Sequence, residues 1–368
     1  MSQIKICHVI GDFVNGGVES VIYNYFSHMD LDKFEVHIIG HGIKVQACAD
    51  RFTDMGFVIH NVTPKSVSFS RSLSEMKAIF QENRFDVIHS HLTEWACVPM
   101  FIGWLCGVKV RINHSHMAEK PHGIVNRVYY GVRLFWGKLF ATDYFACGED
   151  AGRYLFGDRA VDSGKVTILP NAIDFKRYHF DLFVRNEIRS KLELNDDTVV
   201  IGHVGRFFEQ KNHKFLVEIF RDYHKQNSDS ILLLFGDGEL KSETEKQVRS
   251  YGLADSVRFM GVQQNMSYWY QAMDIFALPS LYEGLPVVGV EAQAIGLPCL
   301  FSDQITREIA ISSGAEFLPI NMGTDPWVSA IHSCRMSNSA PAVDMDRYDI
   351  TKRAQFLQEF YISRNLVE

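Results

Sequence analysis

Two carboxylates, Glu283 and Glu291, flank a Gly-Leu-Pro turn in the stretch Leu278-Pro279-Ser280-Leu281-Tyr282-Glu283-Gly284-Leu285-Pro286-Val287-Val288-Gly289-Val290-Glu291-Ala292. The preceding Ile275-Phe276-Ala277-Leu278 is a short apolar run, as a buried parallel strand requires. Gly284 permits backbone geometry that other residues avoid. Pro286 suits the first turn of a helix. Such a helix aims free N–H groups and a partial positive charge back at the loop, a setting that binds phosphate. Carboxylates beside a phosphate site need hydroxyl partners, and sugars supply hydroxyls. A nucleotide-sugar is the ligand that satisfies both halves.

Other residues extend the same chemistry. Val204-Gly205-Arg206-Phe207-Phe208-Glu209-Gln210-Lys211-Asn212-His213 follows a strand, with Arg206 just past a glycine and Lys211 just before a helix. Both cations are expected to stabilise a departing diphosphate; a solvated loop with two ordinary basic residues is the plainer account. Gly16-Gly17 after the first strand allows close backbone approach to an anion, though a simple turn would also use it. Gly236-Asp237-Gly238 falls short of a full dinucleotide fingerprint, and a turn is at least as good a reading. Two His-Ser-His triplets, His89-Ser90-His91 and His114-Ser115-His116, each follow an apolar strand. Alternate residues of extended chain share a face, so each triplet can present two imidazoles. A metal site is not expected, because only Glu94 and Glu119 lie near enough to complete one. Neutral imidazoles serving an acceptor hydroxyl or a phosphate fit better, beside the option of satisfied strand-end histidines. Asp344-Met345-Asp346 precedes the last helix and reads as surface or capping sequence. Residues 129–140 mix aromatics with Arg127, Arg133 and Lys138, which can lie on a membrane. The expectation is a helix packed on the first sheet with those three cations outside.

These groups need elements to hold them. Strands and helices alternate along the chain, the pattern of parallel sheets wrapped by helices. Ile4–Ile10, Phe34–Ile39, Phe85–Ser90, Val108–Asn113, Thr142–Cys147 and Val166–Leu169 are the expected strands of the first half. Val199–Val204, Ile231–Gly236, Val257–Met260, Ile275–Leu278 and Pro298–Phe301 are those of the second. The fold class is therefore α/β, with two Rossmann-like domains facing across a cleft. Ligands of such sheets sit at the carboxyl ends of strands. The boundary falls near residue 178, giving an acceptor-side domain over 1–178 and a nucleotide-sugar-binding domain over 179–347. A last helix, about Ile350–Arg364, follows the Ser/Asn/Pro-containing loop at 337–343.

The chain of 368 residues is 46% hydrophobic and 22% charged, ordinary for a globular protein of about two domains. Its net charge of -7 argues against a nucleic-acid partner. Seven scattered cysteines without a C-x-x-C read as reduced thiols. The first residues run straight into a strand without a signal peptide, and no apolar run reaches membrane-spanning length. A cytoplasmic protein is expected.

Together the motifs resemble the retaining glycosyltransferases of family 4, which have the GT-B fold, over nearly the whole chain. The likeness is carried by Gly205, Arg206 and Lys211, by Phe235-Gly236-Asp237-Gly238-Glu239, and by Glu283 and Glu291. The seam Pro170-Asn171-Ala172-Ile173-Asp174 and the closing Tyr348-Asp349-Ile350 add to it, with Ala172 where glycine is commoner. Arg111-Ile112-Asn113-His114-Ser115-His116 resembles the branch that builds bacterial exopolysaccharide and capsule. The resemblance implies roles by position. Arg206 and Lys211 match the cations on the donor diphosphate, and Glu291 the holder of the ribose hydroxyls. Glu283 matches the residue that orients the sugar, with the backbone of Gly284 and Leu285 nearby. Gly16 and Gly17 match the glycine loop, and His114, with His116 the alternative, the active-site histidine. Residues from about 348 are expected to return to the first domain. A UDP-sugar donor, a lipid-linked saccharide acceptor, contact with the inner membrane face, no cofactor and no metal complete the expectation. The rivals are a nucleotide-sugar epimerase or hydrolase on the same frame, or a non-catalytic partner of another transferase.

Overall fold

The computed structural model describes residues 3–14, 16–116, 124–334 and 345–366. Glu119, Asp344, the loop at 337–343 and the side chain of Arg127 lie outside the described residues. The chain forms two units, one of residues 1–172 with 346–368, the other of residues 173–345.

The first unit holds a parallel sheet of seven strands: β1 (Ile4–Val9), β2 (Phe34–Gly40), β3 (Val58–Asn61), β4 (Val87–Ser90), β5 (Val110–Ser115), β6 (Asp143–Ala146) and β7 (Val166–Ile168). The second holds six: β8 (Val199–Val204), β9 (Ser230–Phe235), β10 (Val257–Gly261), β11 (Ile275–Leu278), β12 (Cys299–Ser302) and β13 (Ala315–Leu318). Their orders are β3-β2-β1-β4-β5-β6-β7 and β10-β9-β8-β11-β12-β13. Each sheet reverses its winding once, between β1 and β4 and between β8 and β11. Helices leave in opposite directions there, and the carboxyl ends of the two strands open a crevice.

Central strands are continuous apolar runs because both sheet faces are covered. β4, β11 and β12 are buried at every residue. In the first unit Phe80, Phe85, Met76 and Met100 pack beneath β1 and β4. In the second, Phe207, Phe220 and Trp327 pack with Ile201, Leu234 and Ala277 of β8, β9 and β11. The two strands that sequence reading misses, β3 and β13, are both sheet edges. An edge strand is half covered, so its apolar signal is short: β3 has exposed ends, and in β13 only Leu318 is buried.

The terminal helix Ile350–Leu366 belongs to the first unit. Its buried stripe, Ile350, Ala354, Leu357 and Tyr361, follows helical spacing. The Arg364 guanidinium donates to Asp143 at 2.8 Å, and Gln358 accepts from the Asp30 amide at 2.8 Å.

Candidate functional site

In the second unit the loops after β8, β9 and β11 converge. Gly236, after β9, has φ +130°, and a Cβ there would lie 2.1 Å from the Gly205 carbonyl oxygen. A Cβ on Gly238 would lie 2.7 Å from the Phe207 amide nitrogen. Glycine is required at both because one loop backbone rests on the other. The Phe207 amide donates to the Asp237 carbonyl at 3.0 Å. Gly236-Asp237-Gly238 is thus a turn that supports the Arg206 loop.

Arg206 is exposed. Its guanidinium sits over the Phe208 ring at 4.7 Å, and no ion pair holds it among the described residues. Lys211 differs from the expectation of a cation aimed solely at a diphosphate. Its ammonium meets the Glu283 carboxylate at 2.5 Å, with the two side chains 16% and 8% exposed. Gln210 donates to the other Glu283 oxygen at 3.2 Å and to the Tyr282 carbonyl at 2.9 Å. The Leu281 amide donates to the Gln210 carbonyl at 2.8 Å. The loops after β8 and β11 are therefore bonded into one surface.

The turn after Glu283 departs from expectation in two respects. Gly284 is absent from the described residues with positive φ, so glycine's freedom is not what the turn uses. Pro286 is extended, and the helix starts one residue later, Val287–Ile295. Gly284 and Leu285 are buried between Glu283 and that helix. Glu291, about a turn and a half in, points its carboxylate at two phenols. Tyr178 donates to one oxygen at 2.7 Å and Tyr270 to the other at 3.0 Å. Burial pushes the Glu291 carboxyl up, and the two phenol hydrogen bonds pull it down. Tyr178, Tyr270 and Gln210 escape sequence reading because nothing local marks them. Tyr178 stands 113 positions from Glu291.

In the first unit Gly16 caps and Gly17 opens the helix Gly17–Phe26. Buried Glu19, in the first turn, accepts from the Val14 amide at 2.9 Å. A Cβ on Gly16 would lie 3.1 Å from that carboxylate, whereas one on Gly17 would meet nothing within 4 Å. The helix start therefore already faces an anionic side chain of its own.

His89 and Ser90 close β4, which ends at Ser90 as expected, whereas β5 runs two residues further than expected and is closed by His114 and Ser115. His8, unmarked in the sequence, joins them because β1 pairs with β4 in the register His8↔His89. Two chains of rings result. His8 Nδ1 lies 3.0 Å from His91 Nε2, and His91 Nδ1 lies 2.7 Å from His116 Nε2. His114 Nδ1 lies 3.0 Å from His89 Nε2, whose Nδ1 is 2.7 Å from the Tyr361 hydroxyl. Burial lowers all five below the usual 6.5, His8 to about 3 and His116 to about 4. They are neutral imidazoles at pH 7.

The aromatic helix, Ile124–Phe140, reverses its expected orientation. Tyr129, Val132, Phe135, Trp136 and Leu139 are exposed, and Phe101, Trp104 and Leu105 from the helix Cys97–Leu105 beside it are exposed too. Arg133 instead stacks on Trp95 at 4.3 Å and pairs with Glu94 at 3.5 Å. Lys138 donates to the Phe156 carbonyl at 3.0 Å. Cations that find carbonyl, carboxylate and ring partners fold inward and leave the apolar face outside. No helix among the described residues is long and apolar enough to cross a membrane. Asp346 is exposed and pairs with Lys352 at 2.6 Å.

Residues 15–177 match the family described as Glycosyltransferase Family 4, and residues 184–314 the one described as Glycosyl transferases group 1. The putative glycosyltransferase EpsF of Bacillus subtilis is 32% identical over 319 residues, covering 85% of this chain and 83% of that protein. The UDP-Gal:alpha-D-GlcNAc-diphosphoundecaprenol alpha-1,3-galactosyltransferase of Escherichia coli is 23% identical over 382 residues, covering 98% of this chain and 97% of that one. Among solved structures, Anabaena HepE in complex with UDP-glucose superposes with a TM-score of 0.75 at 16% identity, covering 99% of this chain and 97% of that one. That likeness is one of fold.

Proposed function

The chain belongs to the glycosyltransferases of family 4, and on that premise we propose a specific reaction. A hexose or N-acetylhexosamine passes from a UDP-sugar to a hydroxyl of a lipid-linked saccharide during surface polysaccharide synthesis. The anomeric configuration is retained, and no divalent metal takes part in the transfer. The observation that carries this reading is the Lys211–Glu283 contact beside the exposed Arg206. It joins a cation and a hydroxyl acceptor at the switch point of the second sheet.

In this reading Arg206 and the start of the helix Val287–Ile295 meet the diphosphate, and Lys211 adds charge while fixing Glu283 for the sugar hydroxyls. The backbone of Gly284 and Leu285 lies alongside. Glu291 holds the ribose. A carboxylate has about four lone-pair positions, so two phenols leave room for the ribose hydroxyls. Neither glutamate suits a covalent nucleophile, since Glu283 is ion-paired and Glu291, half-buried, is held on both oxygens by Tyr178 and Tyr270. Front-face attack follows. The bond from the anomeric carbon to the phosphate oxygen breaks, the acceptor oxygen bonds to that carbon, and the acceptor proton goes to the leaving phosphate. Gly16, Gly17 and His114 serve the acceptor side, His114 through its ring nitrogen. The Escherichia coli relative, named for UDP-Gal and a diphosphoundecaprenol sugar, supports the choice of donor and acceptor. Relatives named for capsular and amylovoran biosynthesis support the setting. The exposed Trp104, Phe135 and Trp136 support peripheral contact with a membrane face.

Transfer from a panel of UDP- and GDP-sugars in EDTA, with the product anomer read by NMR, tests this. The reading expects a UDP-sugar, a retained anomer, full rate in EDTA, and a loss of about a hundredfold or more in Arg206→Ala. An inverted anomer, loss of turnover in EDTA, or free sugar or an epimer formed without acceptor would count against it.

A further inference from the structure

The reaction above uses one histidine, yet five meet at the ends of β1, β4 and β5, and the order of these strands alone brings them together. We propose that His91, His114 and His116 form a binding site for a soft divalent cation of the zinc type.

Their candidate ligand nitrogens all lie within 4.8 Å of one another. Zinc in four-coordination with bonds of about 2.0–2.1 Å holds its ligands roughly 3.4 Å apart, so the widest separations must close and the 2.7 Å between His91 Nδ1 and His116 Nε2 must open, both by small side-chain shifts. Hydrogen-bond bookkeeping prepares it. His114 Nε2 is buried and has no partner. A proton there would be a buried, unsatisfied donor, a cost of about 1–3 kcal/mol. His114 therefore carries its proton on Nδ1 and donates to His89 Nε2, and His89 in turn donates to the Tyr361 hydroxyl. An imidazole that donates from one nitrogen and bares the other is the arrangement a metal ligand needs. His91 Nδ1 and His116 Nε2 share a single hydrogen bond. A cation would replace that bond, the His91 proton would pass to Nε2 and be donated to His8 Nδ1 at 3.0 Å, and the His8 proton would move to its own partnerless Nε2, a cost of about 1–3 kcal/mol that the metal bonds must exceed.

A second triplet, His8, His89 and His91, is equally close-set but is a poorer site. Both His89 nitrogens are already bonded, and all three residues are buried. His116 is only partly buried, and so gives the favoured triplet an entry path. All-imidazole donors suit zinc, cobalt, nickel and copper rather than magnesium or calcium. Among the described residues no carboxylate joins the triplet, which leaves a position open. A cation here takes the lone pair of His114, so it opposes the proposed transfer rather than joining it.

The test is titration of cobalt(II), then zinc in competition, into chelator-washed full-length protein without nucleotide or acceptor. It reads binding alone and so stands or falls apart from the transferase reading. The expected result is one equivalent taken up with the visible absorption of four-coordinate cobalt. Affinity should fall more than tenfold in His116→Ala, the least buried ligand, and stay unchanged in His60→Ala, which removes the separate His37–His60 pair. Absence of uptake by the unaltered protein, or equal affinity in His116→Ala, would overturn the proposal.

Discussion

Glu291 is half-buried beside two tyrosines, and its environment decides whether it can hold a ligand. Removing the Tyr178 hydroxyl strips one charge-assisted hydrogen bond, worth about 1.5–3 kcal/mol to the carboxylate. Tyr178→Phe should therefore raise KM for the UDP-sugar about tenfold while kcat changes less than twofold; an unchanged KM would show that the phenol does not position Glu291. Gly236 is constrained more severely. With φ +130° and a backbone oxygen 2.1 Å from any Cβ, Gly236→Ala should cost at least about 2 kcal/mol. Urea unfolding with a midpoint near that of the unaltered protein would refute this. The placement of Glu283, Glu291, Arg206 and Lys211 was legible in the sequence because each belongs to a local pattern of strand, turn and helix start. Tyr178, Tyr270, His8 and Tyr361 were not. They reach their partners across strand order and register, and sequence spacing carries neither. The pairing of Lys211 with Glu283 was hidden for the same reason.

At the scale of elements, β8 and the helix His213–His224 carry two buried histidines. His203 bonds the Ala277 carbonyl through Nδ1, and His213 stacks on Phe207 at 4.0 Å between ring centres. Burial lowers His203 from 6.5 to about 4, and His213 lower still. Between pH 6.5 and about 4 the unfolded chain takes up protons at these positions that the folded chain refuses, so stability falls as pH falls. Denaturant titrations at pH 7 and pH 4.5 should differ by a loss on the order of 5 kcal/mol from this pair. His213→Phe, which keeps a ring against Phe207, should flatten the dependence; an unchanged slope would contradict the assignment. Element type was legible wherever a strand was buried on both faces, as in β8 and β11, whose bounds match the reading. Of the four edge strands, β7 and β10 were legible and β3 and β13 were not, the latter two carrying too few buried apolar residues. The aromatic helix misled because its cations fold inward onto Trp95, Glu94 and the Phe156 carbonyl.

Over the whole molecule, the six strands of the second sheet repeat the order of the first six of the first sheet, which adds β7 at its edge, and each unit places its polar residues at its own switch point. The first collects neutral imidazoles and a glycine-led helix; the second collects cations, carboxylates and phenols. A chain of net charge -7 thus keeps an exposed arginine where a diphosphate would bind, against the overall sign. Arg206 touches only the Phe208 ring among the described ring and ion-pair contacts, so its removal should leave the fold intact. This makes calorimetric titration of UDP into the unaltered protein and Arg206→Ala the most direct test of the central claim. We expect saturable binding by the former and affinity at least tenfold weaker in the latter, about 1.4 kcal/mol or more. Equal affinity for UDP in the two proteins, or no binding by either, would contradict a diphosphate site at the end of β8.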